Sequence, residues 1–152
     1  MKPGGWIEHI DAEVPPVCKD GTMPKDSAIH QWGELWMEVG RQTGYIFNMA
    51  SSGCMENGLK EAGFTNIQVK DYFAPCSAWP TDPKQKEIGF WQGLFLSEDI
   101  EGFLNLPLGE YMGWTLEEIS KYAACLKKEY RDMKIHAGFT YRVVLAQKPL
   151  DA

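Results

Sequence analysis

The side chains best placed for chemistry are carboxylates and a histidine at the ends of predicted strands. Asp11 and Glu13 fall toward the end of a predicted strand that begins at Trp6. Ligands bind beyond the carboxyl ends of strands in open α/β sheets, so Glu13 could contact a substrate or act as a general base. His136 opens the last predicted strand and is a second candidate. The alternative is that both are ordinary polar side chains at strand ends.

Four cysteines and three histidines could in principle hold a metal ion, but their spacing argues against it. The chain has no C-x-x-C pair, and no histidine stands at a ligand spacing from a cysteine. We therefore predict no metal site and interpret the cysteines as free thiols of a reducing compartment. Met1 is followed by KPGG rather than by an apolar run, so we expect no signal peptide and a cytoplasmic or nuclear protein.

Composition excludes further classes of function. The 152 residues include 15 Lys+Arg and 21 Asp+Glu, which gives a net charge of −6. Direct nucleic-acid binding normally requires a basic face, so we do not expect it. No apolar run approaches the roughly 20 residues of a membrane-spanning helix, so we expect no membrane association.

Periodicity predicts three strands and four helices that would position these residues. The predicted strands cover 6–14, 66–73 and 137–147, and the predicted helices cover 26–42, 52–62, 82–103 and 115–130. The strand over 66–73 alternates between an apolar and a polar side, as an edge strand does, whereas 137–147 is apolar enough to be covered on both faces. The result is an α/β arrangement with fewer strands than most free-standing sheets contain.

Five segments, in the same order, resemble class I S-adenosylmethionine-dependent methyltransferases, and in particular their LaeA-like fungal branch. They are KPGGWIE at 2–8, GYIFNMA at 44–50, EAGFTNI at 61–67, WPTDP at 79–83, and KIHA at 134–137 with its strand ending QKP at 147–149. The first segment resembles the turn and the fifth strand of that fold. The third resembles the helix end and the sixth strand. The other three are similar to the fungal branch, and the five are distributed over nearly the whole chain, from residue 2 to residue 149.

The resemblance implies the C-terminal half of a Rossmann-like methyltransferase fold. It implies a three-strand mixed sheet, in which the first and second strands are parallel and the last is antiparallel between them. Residues 1–152 would form a single, partial domain, with 75–134 as a helical insert that caps the substrate. The family binds S-adenosylmethionine through a glycine-rich turn that corresponds to sequence before Met1. We therefore expect no donor-binding residues in this chain and no donor binding by the chain alone.

The methyl donor is already activated, so an enzyme of this kind mainly aligns the acceptor and excludes water. We assign no catalytic residue. Aromatic side chains can shape an acceptor pocket and face the cationic sulfonium. The pocket candidates are Trp36, Trp91 and Phe95, together with Glu13 and His136, although aromatic stripes on helices are also typical of an ordinary core. The acceptor would be a small molecule or a protein, in fungal secondary metabolism or its regulation.

A second interpretation is a non-catalytic interaction module or a truncated methyltransferase-like protein. The first strand would then lack a neighbour on its outer side, and that edge could mediate self-association or pairing with a partner. A short protein with its own start, or a binding protein unrelated to methyl transfer, also remains open at this point.

Overall fold

The computed structural model describes residues 1–150 and confirms an α/β arrangement around one three-stranded sheet. The strands are β1 (Trp6–Cys18), β2 (Thr65–Pro75) and β3 (Ala137–Gln147). The helices are α1 (Ala28–Thr43), α2 (Cys54–Glu61), α3 (Pro83–Glu98), α4 (Ile100–Leu104) and α5 (Leu116–Tyr130). A π-helical segment, Asn105–Tyr111, connects α4 to α5.

β3 is the central strand, and the sheet order is β1-β3-β2. β3 pairs antiparallel with both of its neighbours. The expected mixed sheet is therefore wrong, because every ladder in the described sheet is antiparallel. The crossover through α1 and α2 leaves β1 and β2 pointing in the same direction. Since β3 lies between them, they form no parallel ladder with each other.

Two predicted elements differ in extent from the observed ones. β1 continues through Pro15 and Pro16, where we expected it to stop, because a register shift between Glu13 and Val17 takes both prolines out of the ladder. The single helix predicted over 82–103 is broken at Asp99, whose non-helical backbone (φ −133°, ψ 52°) ends α3 and caps α4.

Helices cover the two faces of the sheet unequally. On one face, Met55 and Leu59 of α2 pack with Val144 and Ala146 of β3. On the other, α1, α4 and α5 enclose the larger core around Phe139. Within residues 1–150, no helix has the length and apolar character needed to cross a membrane.

α5 holds the N-terminus of α1 in place. The carboxylate of Glu129 accepts hydrogen bonds from the backbone N–H groups of Ala28 and Ile29, each at 2.9 Å. The buried hydroxyl of Tyr122 donates to the carbonyl oxygen of Ala28 at 2.9 Å. A carboxylate at a helix N-terminus satisfies free amides and complements the helix dipole. These contacts set the position of α1 and of the tryptophans that it carries.

Candidate functional site

A cavity of about 560 Å³ lies between the sheet and the helices α1, α3 and α4. Its wall includes Ala12 and Val14 of β1 and Phe139 and Tyr141 of β3, which share one face of the sheet. The helical part of the wall consists of Trp32, Gln92, Phe95, Leu96, Glu98, Asp99, Ile100 and Phe103. Because β1 contributes residues from its C-terminal half, the cavity lies toward the sheet edge at which α/β proteins bind ligands.

Glycines set the position of the cavity's α3 wall. A Cβ atom at Gly89 would collide with the carbonyl oxygen of Ser77, and one at Gly93 would lie 2.7 Å from that of Cys76. Residues four apart share one side of a helix, so the two glycines let α3 lie directly on the chain that leaves β2. This approach places the following turn of α3 over the sheet.

Stacked aromatic rings form the inner wall. The Trp32 and Phe103 rings are nearly parallel, with centroids 5.8 Å apart. Trp36 packs behind them, 5.3 Å from Phe103 and 4.8 Å from Phe47. Phe103 lies on α4, just after the break at Asp99, and its ring contacts both tryptophans of α1.

Polar groups in the wall are few. The phenol of Tyr141 donates a hydrogen bond to Oε1 of Gln92 at 3.2 Å. Oδ1 of Asp99 accepts from the N–H of Gly102 at 3.1 Å. Nε1 of Trp32, a residue only 3% exposed, has no hydrogen-bond partner among the described residues. The cavity is thus suited to holding and orienting an apolar ligand.

The aromatic pocket candidates have different surroundings. Phe95 lines the cavity and is 73% exposed at its mouth. Trp36 is buried in the core behind the cavity wall. Trp91 lies outside the wall, is 59% exposed and packs edge-on against Phe90. Sequence reasoning did not select Phe139 and Tyr141 as site residues, although their alternation placed both on one strand face.

The structure places Glu13 on the opposite face of the sheet from the cavity. Its Oε2 accepts hydrogen bonds from the N–H groups of Ala50 at 2.8 Å and Ser51 at 3.1 Å. Its Oε1 accepts from the Ser51 hydroxyl at 2.6 Å. These contacts hold the loop before α2 against β1.

His136 also lies away from the cavity wall. Its Nδ1 is 2.5 Å from Oδ2 of Asp20, and its ring stacks on Trp79 with centroids 4.5 Å apart. The hydrogen bond with His136, followed by those from Thr22, holds the pKa of Asp20 well below its ordinary value. His136 and Glu13 remain predictions as site residues, and the structure does not bring them together with Phe95.

Buried nucleophiles near the core are held in their neutral forms. Burial raises the pKa of the Cys76 thiol and of the Tyr122 and Tyr130 phenols. Among the described residues, no group of three or more His, Cys, Asp or Glu side chains is placed to hold a metal ion.

The glycine turn at the start of the chain does not fit a bound methyl donor. Gly4 adopts a positive φ of 77°, and its N–H donates to the carbonyl oxygen of Lys148. The N–H of Gly5 donates to the carbonyl oxygen of Lys2, and the turn leads into β1 rather than into a helix. The amides that would approach a cofactor in such a turn are therefore already used.

The chain is similar over nearly its whole length to curated fungal proteins, whereas no family model matches it. It is 34% identical over 151 residues to the secondary metabolism regulator LAE1 of Cochliobolus heterostrophus, covering 98% of this chain and 48% of that protein. It is 32% identical over 149 residues to the methyltransferase pytC of Aspergillus terreus, covering 98% and 45%. It is 28% identical over 149 residues to the probable methyltransferase tdiE of Emericella nidulans, covering 98% and 46%. The chain thus spans about half the length of the curated relatives it matches.

Among solved structures, a phosphoethanolamine N-methyltransferase of Haemonchus contortus, in complex with phosphomonomethylethanolamine and S-adenosylhomocysteine, aligns with 98% of this chain and 27% of its own. The sequence identity is 17% and the TM-score is 0.40.

Proposed function

Because the chain belongs to the LaeA-like fungal methyltransferases, we propose that it supplies the acceptor-binding part of an S-adenosylmethionine-dependent methyltransferase of fungal secondary metabolism or its regulation. The observation that carries this proposal is the aromatic cavity beside the C-terminal half of β1. Residues 1–152 would act as one partial domain. Residues 75–134, which include α3 and α4, would cap the acceptor.

The work that this chain's residues would do is positional. Methyl transfer from a sulfonium requires the acceptor to be held in line and water to be excluded. Trp32, Phe103 and Phe139 provide an apolar wall for that purpose, and Phe95 would close the mouth over a bound acceptor. The donor would be bound by residues other than those described, because the Gly4–Gly5 turn does not fit it. The acceptor would be a small molecule or a protein side chain that enters the cavity.

A chimaera tests this proposal. The 151 residues of LAE1 that match this chain would be replaced by it, and methyl incorporation from radiolabelled S-adenosylmethionine into a fungal extract would be measured. We expect the chimaera to incorporate label and LAE1 lacking the segment to incorporate none. The proposal fails if the chimaera folds but transfers no methyl group. Micromolar binding of the donor to this chain alone, measured by calorimetry, would contradict the proposal that this chain binds only the acceptor.

The free edge of β1 favours a second function, as an interaction module. One edge of β1 pairs with β3. Along the other edge, backbone pairing with the described residues is confined to the C-terminal part of the strand. It consists of the bridge between Glu13 and Asn48 and the hydrogen bond from the N–H of Val14 to the carbonyl oxygen of Phe47. Ile10, before that part, is 54% exposed. An unpaired strand edge is a template for pairing with another chain.

Sedimentation over a range of protein concentrations tests this second function. We expect association that weakens when Ile10→Lys places a charge beside the edge, with Lys70→Arg, on the other outer strand, as the matched control. A monomer at every concentration would argue against self-association through this edge.

A further inference from the structure

The cavity combines an aromatic lining with a negatively charged mouth. Its five aromatic residues are Trp32, Phe95, Phe103, Phe139 and Tyr141. Glu98 and Asp99 complete the wall where α3 ends, and the lining contains no lysine, arginine or histidine. Aromatic faces and carboxylates both favour a cation over an anion.

Neighbouring residues leave the negative charge at the mouth largely uncompensated. Glu98 forms no hydrogen bond or ion pair within residues 1–150, and both carboxylates belong to exposed residues. Lys127 lies 4.0 Å from Glu101 and so pairs with that carboxylate instead. One oxygen of Asp99 is used by the N–H of Gly102, and the other has no partner among the described residues.

The deeper wall offers a ligand little polar contact. Trp32 is almost fully buried in the wall, and its Nε1–H has no acceptor among the described residues. That nitrogen has almost no accessible surface of its own, so a ligand would contact the ring of Trp32 rather than its N–H. The phenol of Tyr141 and the amide of Gln92 already bond to each other.

We infer that the cavity binds a flat aromatic molecule that carries a protonated amine, with the ring against the aromatic wall and the amine at Glu98 and Asp99. The inference rests on the proposed function, for which it specifies the acceptor class. A protonated amine has no lone pair to receive a methyl group, so this amine anchors the ligand rather than being the methylated atom.

Calorimetry with three matched indoles tests the inference on the whole chain at pH 7 and low salt. The probes are the amines 5-methoxytryptamine and tryptamine, and 5-methoxyindole-3-acetate, in which a carboxylate replaces the amine. We expect 5-methoxytryptamine to bind about tenfold more tightly than the acetate, since two carboxylates attract the one and repel the other. That ratio should fall several-fold at about 0.5 M salt, because exposed charges are screened.

One variant and its matched control test the carboxylate anchor. Glu98→Gln should weaken binding of both amines about threefold and leave the acetate no weaker, whereas Glu87→Gln, on the exposed part of the same helix, should change none of the three. Comparing an amine with the acetate on one variant cancels any general loss of packing.

The inference is overturned if the acetate binds within twofold of 5-methoxytryptamine, if no probe binds, or if Glu98→Gln leaves the preference for amines intact. These outcomes are distinct from failure of the proposed function. If the chain binds amines selectively but the LAE1 chimaera is inactive, the methyltransferase proposal fails and the amine inference stands. If an active chimaera methylates only anionic acceptors, the amine inference fails and the methyltransferase proposal stands.

Discussion

Replacing Glu13 by alanine should destabilise the fold without affecting the cavity. The carboxylate accepts three hydrogen bonds, one from the partly buried N–H of Ala50 and two from the exposed Ser51. Hydrogen bonds to a charged group are worth about 1.5–3 kcal/mol when buried and less when exposed. Taking about 1.5 kcal/mol for the Ala50 bond and about 0.5 kcal/mol for each Ser51 bond gives about 2.5 kcal/mol.

Urea unfolding at pH 7 measures this free energy, and a loss of that size would lower the Tm by roughly 5–10 °C for a domain of this length. Glu13→Gln keeps an acceptor oxygen but loses the charge, so we expect about 1 kcal/mol. Glu8→Ala, an exposed position on the same strand, is the matched control and should cost within about 0.5 kcal/mol. Affinity for 5-methoxytryptamine should stay within twofold in all three variants.

The opposite pattern would refute this reasoning. If Glu13→Ala unfolded like Glu8→Ala but bound the indole probes much more weakly, Glu13 would be a ligand-contacting residue, as the sequence prediction had it. The loop contacts with Ala50 and Ser51 would then be incidental.

Three further predictions concern the elements around the cavity. Gly89→Ala should destabilise the chain by about 2 kcal/mol or more because its Cβ has no room, whereas Gly58→Ala, with open space on α2, should stabilise it by up to about 1 kcal/mol; urea titrations compare the two. Arg142→Met should lower the free energy of unfolding by about 2–3 kcal/mol. It removes two hydrogen bonds to Asp71, both 2.7 Å, from an arginine side chain that is only 17% exposed. The surface variant Arg41→Met is the control, and the same assay should show a loss of about 0.5 kcal/mol or less. The hydrogen bonds from Arg142 lower the pKa of Asp71 from 3.8, so this carboxylate stabilises the fold above about pH 4 and loses its contribution as the pH falls through its folded pKa. The gap in Tm between wild type and Arg142→Met should therefore be full at pH 7 and narrow in acid, and an equal gap at pH 2.5 would count against the assignment.

Most of the fold could be predicted from patterns within single helices and strands. The apolar residues on both faces of 137–147 predicted the central strand, and the polar face of 66–73 predicted an edge strand. Both predictions were possible because the residue types along a strand show whether one face or both faces are buried. Capping residues located the helix starts, including Thr115, whose reciprocal bonds with Glu118 are present. Patterns of this range did not show that the chain breaks at Asp99, since apolar residues at helical spacing continue on both sides of it.

Short stretches of sequence were enough to locate the helices and strands, most of their buried faces and the family resemblance. Which side chains meet depends on how those elements pack. The cavity joins β1, α1, α3, α4 and β3, from Ala12 to Tyr141, and Phe95 alone among the five pocket candidates lines it. Glu13 and His136 instead bond to loop residues at positions that no periodicity predicts. The physical reason is that side-chain periodicity is a property of a single element, whereas a cavity depends on how several elements pack together across the length of the chain.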